Sequence, residues 1–276
     1  MDLTVALVTD IHFGPAALYQ GKLRKLSAHA PALLSAFVER MNREVRPDVV
    51  VNLGDDLEDE SPEADRARYD EVVRILSGLD AKVLHVAGNH DVVHLGSADL
   101  LRAWEPSGAG DRDGSGRLYY SRDVGGYHLV VLQTIEEKDR IVRMDPEQLR
   151  WLEADLAATS SPTLVFMHHS AADQHLVGNR WFEGRANICL VRERKELRRI
   201  LEDSGRVLAV LNGHLHWNHV DWIGGIPYVT VQSLIENLDD DAPGRPAAAH
   251  AIVRAHPRRI VIEVEGVERA RYQVER

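Results

Sequence analysis

Cysteine is almost absent from this sequence of 276 residues. It occurs once, as Cys189, and a single cysteine cannot form an internal disulfide. This excludes the small secreted domains that depend on several disulfides, and it agrees with a reducing compartment.

Long hydrophobic runs are also missing. No stretch reaches the ~18 to 20 consecutive apolar residues that a membrane-spanning helix needs. The apolar run near the start is interrupted by Asp10, so the run is too short for a signal peptide. We therefore expect a cytoplasmic protein with no membrane partner.

The sequence also lacks an excess of positive charge. Lys and Arg number 33 against 43 Asp and Glu, which gives a formal net charge of -10. No block of like charge indicates an arm for duplex nucleic acid, so we expect a small-molecule partner instead. Hydrophobic residues make up 44% of the chain, and neither a repeat nor a long linker interrupts it. This composition predicts a single domain over residues 1–276.

Strand and helix patterns alternate along the first part of the chain. Short β-branched runs at 3–9, 48–53 and 82–87 predict buried strands, and the spacing of apolar residues predicts helices at 31–45 and 62–76. Right-handed crossovers would make these three strands parallel. The first part of the chain is therefore typical of an α/β protein.

The second part of the chain adds strands of both directions. Beyond a Gly-rich loop at 107–116, a turn at Val124-Gly125-Gly126 predicts a hairpin between strands at 118–122 and 127–133. Asp145 and Pro146 are typical of a helix start, here before a strand at 163–167. A helix at 191–202 and strands at 207–211, 220–223, 228–231 and 260–264 complete the prediction.

Five of the predicted strands end in side chains that can bind metal ions. Because the carboxyl ends of parallel strands meet at one edge of a sheet, we expect these side chains to converge. Each short motif is weak by itself, but their joint occurrence in order favours a metal site. The side chains belong to Asp10, His12, Asp55, Asn89, His90, Asp91, His168, His214 and His216.

The residue types indicate which chemistry the site supports. Carboxylates, amide oxygens and imidazoles suit Mn, Fe or Zn, and a shared aspartate can bridge two ions ~3.5 to 4 Å apart. Two such ions lower the pKa of the water between them and stabilise charge on a transferring phosphoryl group. This chemistry is that of phosphate ester hydrolysis by a bridging hydroxide.

The ordered motifs D-x-H, G-D, G-N-H-D, V-x-x-H and G-H-x-H resemble those of the calcineurin-like metallophosphoesterase family. Here they read Asp10-Ile11-His12, Gly54-Asp55, Gly88-Asn89-His90-Asp91, Val165-Phe166-Met167-His168 and Gly213-His214-Leu215-His216. The resemblance implies a four-layer α/β/β/α sandwich of two mixed β-sheets flanked by helices. It also implies two divalent metal ions as cofactors.

The resemblance further implies a role for each motif residue. One ion would be held by Asp10, His12, Asp55 and His216. The other would be held by Asp55, Asn89, His168 and His214, so that Asp55 bridges both ions. His90 would face the substrate and either donate a proton to the leaving oxygen or stabilise phosphoryl charge, and Asp91 would orient His90 from behind.

Two stretches bear on the substrate. His168-His169-Ser170 resembles the His-His-Pro of class III cyclic-nucleotide and glycerophosphodiester phosphodiesterases, although the proline is missing. Residues 187–190 and 232–236 resemble the manganese-dependent ADP-ribose and CDP-alcohol diphosphatases. Candidate substrate contacts are His169, Arg180, Arg185, Asn187 and Cys189, and Cys189 is equally typical of a small buried core residue.

These observations predict a dinuclear hydrolase that acts on a phosphodiester or a nucleotide diphosphate. A phosphomonoesterase is the alternative at the same site, because Arg180 or Arg185 could bind a terminal phosphate. The alternative from another class is a catalytically inactive, metallophosphoesterase-like binding scaffold. A nuclease with a basic groove finds no support in an acidic chain.

Overall fold

Two six-stranded mixed β-sheets pack face to face, and helices cover their outer faces. This is a computed structural model, and it describes residues 2–108, 114–137, 140–256 and 259–275. Residues 109–113, inside the predicted Gly-rich loop, lie outside the described ranges.

The first sheet contains three parallel strands from the start of the chain and three antiparallel strands from its end. In chain order they are β1 (Leu3–Val8), β2 (Val49–Asn52), β3 (Lys82–His85), β12 (His250–His256), β13 (Arg259–Glu265) and β14 (Ala270–Glu275). Their spatial order is β14-β13-β12-β1-β2-β3.

The second sheet contains β4 (Tyr120–Val124), β5 (Tyr127–Val131), β8 (Thr163–Met167), β9 (Val207–Asn212), β10 (His219–Ile223) and β11 (Ile226–Thr230). Its order is β10-β11-β9-β8-β5-β4, with β5, β8, β9 and β11 parallel. A separate hairpin pairs β6 (Ile135–Glu136) with β7 (Val142–Arg143).

The helices are α1 (Ala30–Arg40), α2 (Pro62–Leu76), α3 (Ser97–Trp104), α4 (Pro146–Ala158) and α5 (Arg194–Ser204). Two of them start where the sequence predicts, because Ser61 and Asp145 accept hydrogen bonds from the backbone of Ala64 and Glu147. No helix within the described ranges is long and apolar enough to cross a membrane.

Alternating side chains along the strands create the layers. In β1, Val5 and Leu7 point between the sheets, whereas Ala6 and Val8 pack with the residues of α1 and α2. Likewise, Phe166 of β8 faces the other sheet, and its neighbours pack with α4 and α5. The predicted α/β/β/α sandwich is therefore confirmed.

Most predicted elements are present, and the structure adds α3, β12, β14 and the hairpin of β6 and β7, which the sequence does not predict. The helix and the strand predicted at 62–76 and 163–167 have those bounds. Helix α1 ends at Arg40, because residues Met41–Val45 form a π-helical turn.

Candidate metal centre

Sharp backbone turns follow the strands that carry the motif residues. Because their φ angles are positive, a region that side chains with a Cβ rarely adopt, the chain bends at once and directs these side chains into the gap between the sheets. The residues and angles are Asp10 (51°), His12 (43°), Asp55 (57°), His214 (65°) and His216 (52°).

Two motif glycines allow the loops to approach closely. A Cβ at Gly88 would collide with the backbone and carboxylate of Asp55. A Cβ at Gly213 would collide with the side chain of Thr9. The glycines of G-N-H-D and G-H-x-H are therefore needed for the loops to meet.

The Asp55 carboxylate lies between imidazoles from both sheets. Its Oδ2 is 3.2 Å from Nε2 of His168 and 3.7 Å from Nε2 of His12. Its Oδ1 accepts a hydrogen bond of 2.9 Å from the backbone N–H of His90. One carboxylate oxygen therefore faces both halves of the centre.

The first half is formed by Asp10, His12 and His216. Nε2 of His12 and Nε2 of His216 are 3.1 Å apart, and the latter is 3.3 Å from Oδ1 of Asp10. All three side chains are buried, and their ligand atoms lie within 4.8 Å of one another. This geometry suits one cation.

The second half adds His214 and Asn89. Nδ1 of His214 lies 3.3 Å from Nε2 of His168. The Asn89 side-chain oxygen is buried and has no hydrogen-bond partner among the described residues. A buried amide oxygen without a partner is costly, and coordination of a cation would satisfy it, so these donors fit the predicted second ion.

The far nitrogen of each of these imidazoles lies against an oxygen that can only accept. Nδ1 of His12 lies 3.1 Å from the Glu58 carboxylate and 3.3 Å from Nζ of Lys25. Three hydrogen bonds run from His168 Nδ1 to Leu53 O (2.9 Å), His214 Nε2 to Ile188 O (3.0 Å) and His216 Nδ1 to Glu236 (2.8 Å). Since these three nitrogens donate, each neutral ring presents its other nitrogen, with a lone pair, to the centre.

Opposite charges compensate one another within the centre. Burial alone would raise the pKa of the Asp10 carboxyl, but the adjacent His216 lowers that pKa to about 2. Burial lowers the pKa of His168, but Asp55 raises it to about 10. The carboxylates therefore stay ionised, and protonated imidazoles supply positive charge that a cation can replace.

His90 is oriented by Asp59, which corrects the expectation that Asp91 does so. His90 Nδ1 donates to Oδ1 of Asp59 at 2.5 Å. The Asp91 carboxylate is buried and instead accepts backbone N–H bonds from Asp55, Asp56 and Gly88, at 2.7 to 2.9 Å. Asp91 therefore shapes the loops beneath the centre.

A cleft of about 310 Å³ opens above the centre. Its lining combines apolar and charged side chains, and Lys25 and Arg185 contact the aromatic residues Trp181 and Tyr19. The floor is formed by His12, Asp55, Asn89, His90, His214 and His216. Apolar lining residues include Leu18, Tyr19, Trp181, Phe182 and Ile188, and charged lining residues include Lys25, Glu58, Glu136, Arg140 and Arg185.

Of the predicted substrate contacts, Arg185 lines the cleft, where it donates to the Tyr19 hydroxyl at 2.8 Å. Arg180 does not line it, since it donates to the backbone oxygen of Asn237 and pairs with the carboxylates of Glu236 and Asp240. Asn187 is exposed beside the cleft lining. Neither Arg180 nor Asn187 lines the cleft, and their contact with the substrate stays a prediction.

His169 and Cys189 are both buried and do not line the cleft, so contact of either with the substrate stays a prediction. A ring nitrogen of His169 instead lies within 4.8 Å of ligand atoms of His168 and His214. His169 Nδ1 bonds the hydroxyl of Thr134 at 2.7 Å. Cys189 packs in an apolar cluster with Leu190 and Leu215, and burial raises the pKa of its thiol to about 12. Its role is therefore that of a core residue.

Sequence reasoning missed several charged side chains of the cleft. Glu58 and Asp59 lie in the acidic run after the Gly54-Asp55 motif. The position of this run next to a motif indicates that its side chains lie near the centre. Lys25, which contacts Glu58 at 2.8 Å, lies in a loop without a motif. Glu136 and Arg140 lie on or beside the hairpin of β6 and β7, where no motif marks them.

Comparison with known proteins agrees with this geometry. The family model for calcineurin-like phosphoesterases matches residues 3–218. A probable cyclic nucleotide phosphodiesterase of Synechococcus sp. is 27% identical over 78% of this chain and 74% of that protein. A cAMP/cGMP dual specificity phosphodiesterase of Mycobacterium tuberculosis is 28% identical over 79% of this chain and 64% of that protein.

A crystal structure of a dimetal phosphatase from Danio rerio has the same fold. It superposes with a TM-score of 0.78 at 20% identity and covers 98% of both chains. The matches to the curated relatives span between 50% and 74% of their lengths. The chain therefore belongs to the calcineurin-like phosphoesterase family and is a hydrolase of phosphate esters.

Proposed function

We propose that the protein hydrolyses a phosphodiester or nucleotide diphosphate bond at a centre of two divalent cations. The observation that supports this most is the position of Asp55, whose Oδ2 faces His168 at 3.2 Å and His12 at 3.7 Å. A carboxylate placed between two groups of donors suits a pair of ions that share one ligand.

The two ion positions use the two halves of the centre. Asp10, His12, Asp55 and His216 would hold one ion, and Asp55, Asn89, His168 and His214 would hold the other. Carboxylate, amide and imidazole donors without thiolate favour Mn, Fe or Zn. When bound, such ions polarise a phosphoryl group and lower the pKa of water.

The protein side chains bind, orient and transfer a proton. His90 lines the cleft beside Asn89, and its Nδ1 is held by Asp59. Its other ring nitrogen, Nε2, is therefore the one that donates a proton to the leaving oxygen. The wall of Tyr19, Trp181 and Phe182 excludes water from one side of the substrate and offers apolar surface to it.

The relatives favour a nucleotide diester as the substrate class. Four curated relatives match, and their names describe cyclic nucleotide phosphodiesterases. A cleft of about 310 Å³ with an aromatic wall suits a ligand of nucleotide size. We also propose that residues 1–276 form one catalytic domain, since both sheets contribute to the same centre.

A phosphomonoesterase is the second candidate, and one observation favours it. Arg140 and Arg185 line the cleft, and guanidinium groups suit the two charges of a terminal phosphate. The scaffold alternative has less support, because all the predicted ligand side chains are present and brought together.

Activity measurements on the Mn-reconstituted protein test these candidates. We expect kcat/KM to be higher for bis-p-nitrophenyl phosphate than for p-nitrophenyl phosphate, and higher for cAMP or ADP-ribose than for AMP. The reverse order would support the phosphomonoesterase. Full metal occupancy without hydrolysis of any of these substrates would support the scaffold.

A further inference from the structure

Glu136 places a carboxylate at a cleft that we propose binds phosphate. The residue lies on β6, and its side chain is 16% exposed and lines the cleft together with Asn89 and His90. No sequence motif includes it. A negative charge at this position repels an anionic substrate. We therefore expect the Glu136 carboxylate to make a favourable contact with another part of the substrate.

The other acidic side chains of the cleft have clear partners. Asp55 lies between the two halves of the centre, and Glu58 contacts His12 and Lys25. For Glu136, the described part of the chain offers one ion-pair partner, Arg140, at 3.4 Å. This distance is too long for a good hydrogen bond, so the carboxylate retains capacity to accept one.

The cleft lining brings Glu136 together with the proposed proton donor. Glu136 lines the cleft with Asn89 and His90, and burial raises the pKa of its carboxyl group. A substituent next to the leaving oxygen, to which His90 would donate, therefore lies in the same cleft as the Glu136 carboxylate.

We propose that Glu136 is a specificity-determining residue that accepts a hydrogen bond from a hydroxyl group next to the leaving oxygen. The 2′-hydroxyl of a ribose whose 3′-oxygen leaves has this arrangement. The proposal rests on the proposed function and deepens it, since it assigns the substrate a vicinal hydroxyl on the leaving alcohol.

The matched substrates are cAMP and 2′-deoxy-cAMP, which differ at this hydroxyl alone. With the Mn-reconstituted full chain, we expect wild-type kcat/KM to favour cAMP by about 10- to 100-fold, as one hydrogen bond to a charged acceptor allows. Glu136→Ala should reduce the preference to about onefold, mainly by slowing cAMP hydrolysis. Glu136→Gln, which retains an accepting oxygen, should retain part of the preference.

Bis-p-nitrophenyl phosphate and Arg140→Ala provide the controls. The nitrophenol leaving group has no vicinal hydroxyl, and removal of a negative charge relieves repulsion of an anionic diester, so Glu136→Ala should not lower kcat/KM for this substrate. If Glu136 acted by holding Arg140 toward the phosphate, Glu136→Ala and Arg140→Ala would both slow this substrate. That result would overturn the proposal.

The remaining outcomes separate this proposal from the proposed function. An unchanged cAMP preference in Glu136→Ala overturns the specificity role and leaves the phosphodiesterase activity standing. Hydrolysis of bis-p-nitrophenyl phosphate without hydrolysis of either cyclic nucleotide also overturns it. A metal-loaded wild type that hydrolyses none of the three overturns both proposals. Equal melting temperatures of the variants and the wild type check that the fold is retained.

Discussion

At the scale of single residues, two aspartates near His90 have different partners. Asp59 contacts the His90 ring, whereas Asp91 accepts hydrogen bonds from three backbone N–H groups. The first therefore acts on the proposed proton donor, and the second acts on the shape of the loops that carry it.

The pair Asp59→Asn and Asp91→Asn separates these roles. We expect Asp59→Asn to lower kcat by about 10-fold or more for substrates with poor leaving groups, which need the proton from His90, and to leave p-nitrophenyl esters less affected. Asp91→Asn weakens bonds to three buried N–H groups and should lower the free energy of unfolding by about 1 to 3 kcal/mol. Kinetics and urea unfolding of both variants measure this, and equal effects on both quantities would contradict the assignment.

A second pair concerns metal content. Asp55→Ala removes the carboxylate between the two halves of the centre, so we expect loss of activity and of most bound metal. His90→Ala should keep the metal while lowering turnover by about 10²- to 10⁴-fold. Elemental analysis of both purified variants is the measurement. A His90→Ala protein as depleted of metal as Asp55→Ala would identify His90 as a ligand.

The sequence predicts the ligand residues better than it predicts their surroundings. Asp10, Asp55 and His168 each follow a recognisable strand, so their convergence can be predicted from local patterns. Glu136 reaches the cleft through the position of a two-residue strand, which depends on tertiary packing. Local patterns carry no information about that approach.

At the scale of elements, the missed strands have weak local patterns. β12 follows the alanine run 247–249 and has only Ile252 and Val253 as β-branched residues. It is nevertheless central, between β1 and β13. β14 carries charged residues at an exposed edge, a composition that resembles a surface loop. Pairing with neighbouring strands, not intrinsic propensity, determines both.

His128 joins three elements and gives a pH-dependent contribution to stability. It lies on β5 and contacts Asp123 of β4 at 2.7 Å and Asp155 of α4 at 2.8 Å. Burial lowers its pKa, but the hydrogen bonds to Asp155 and Asp123 outweigh burial and raise the pKa above 6.5. The folded state therefore binds the proton more tightly than the unfolded state does.

Protonated His128 stabilises the folded state, so its contribution depends on pH. The stabilisation is fully present below about pH 6.5, the usual pKa of histidine, and is lost as the pH rises through the raised pKa of the folded state. The difference in melting temperature between the wild type and His128→Gln should therefore shrink from about pH 6 to about pH 9. Asp155→Asn is the matched control and should reduce the dependence on pH. A constant difference would show that the imidazole contributes through packing.

At the scale of the whole molecule, the candidate centre connects the two sheets. Asp10 and Asp55 follow strands of the first sheet, and His168, His214 and His216 follow strands of the second. Ions bound here would therefore link two layers whose other contacts are mainly the apolar side chains between them.

Metal removal should accordingly destabilise the whole fold. A ligand present at 1,000 times its Kd stabilises the folded state by about 4 kcal/mol, which corresponds to roughly 10 °C for a domain of this size. We expect chelation with EDTA to lower the melting temperature of Mn-loaded protein by this amount, measured by calorimetry. Asp55→Ala should show little response to EDTA. A melting temperature unaffected by EDTA in the wild type would argue against a bound pair of ions.

The left-handed backbone at Asp10, His12, Asp55, His214 and His216 has an evolutionary consequence. Each such residue carries a conformational cost of roughly 1 to 2 kcal/mol that glycine would relieve. Selection for hydrolysis maintains these costly residues, and a lineage released from that selection can gain stability by replacing them. Relief of this backbone cost would then offset stability that is lost with the bound ions. Proteins of such a lineage would retain the two-sheet fold, and their surface could then evolve to bind other molecules.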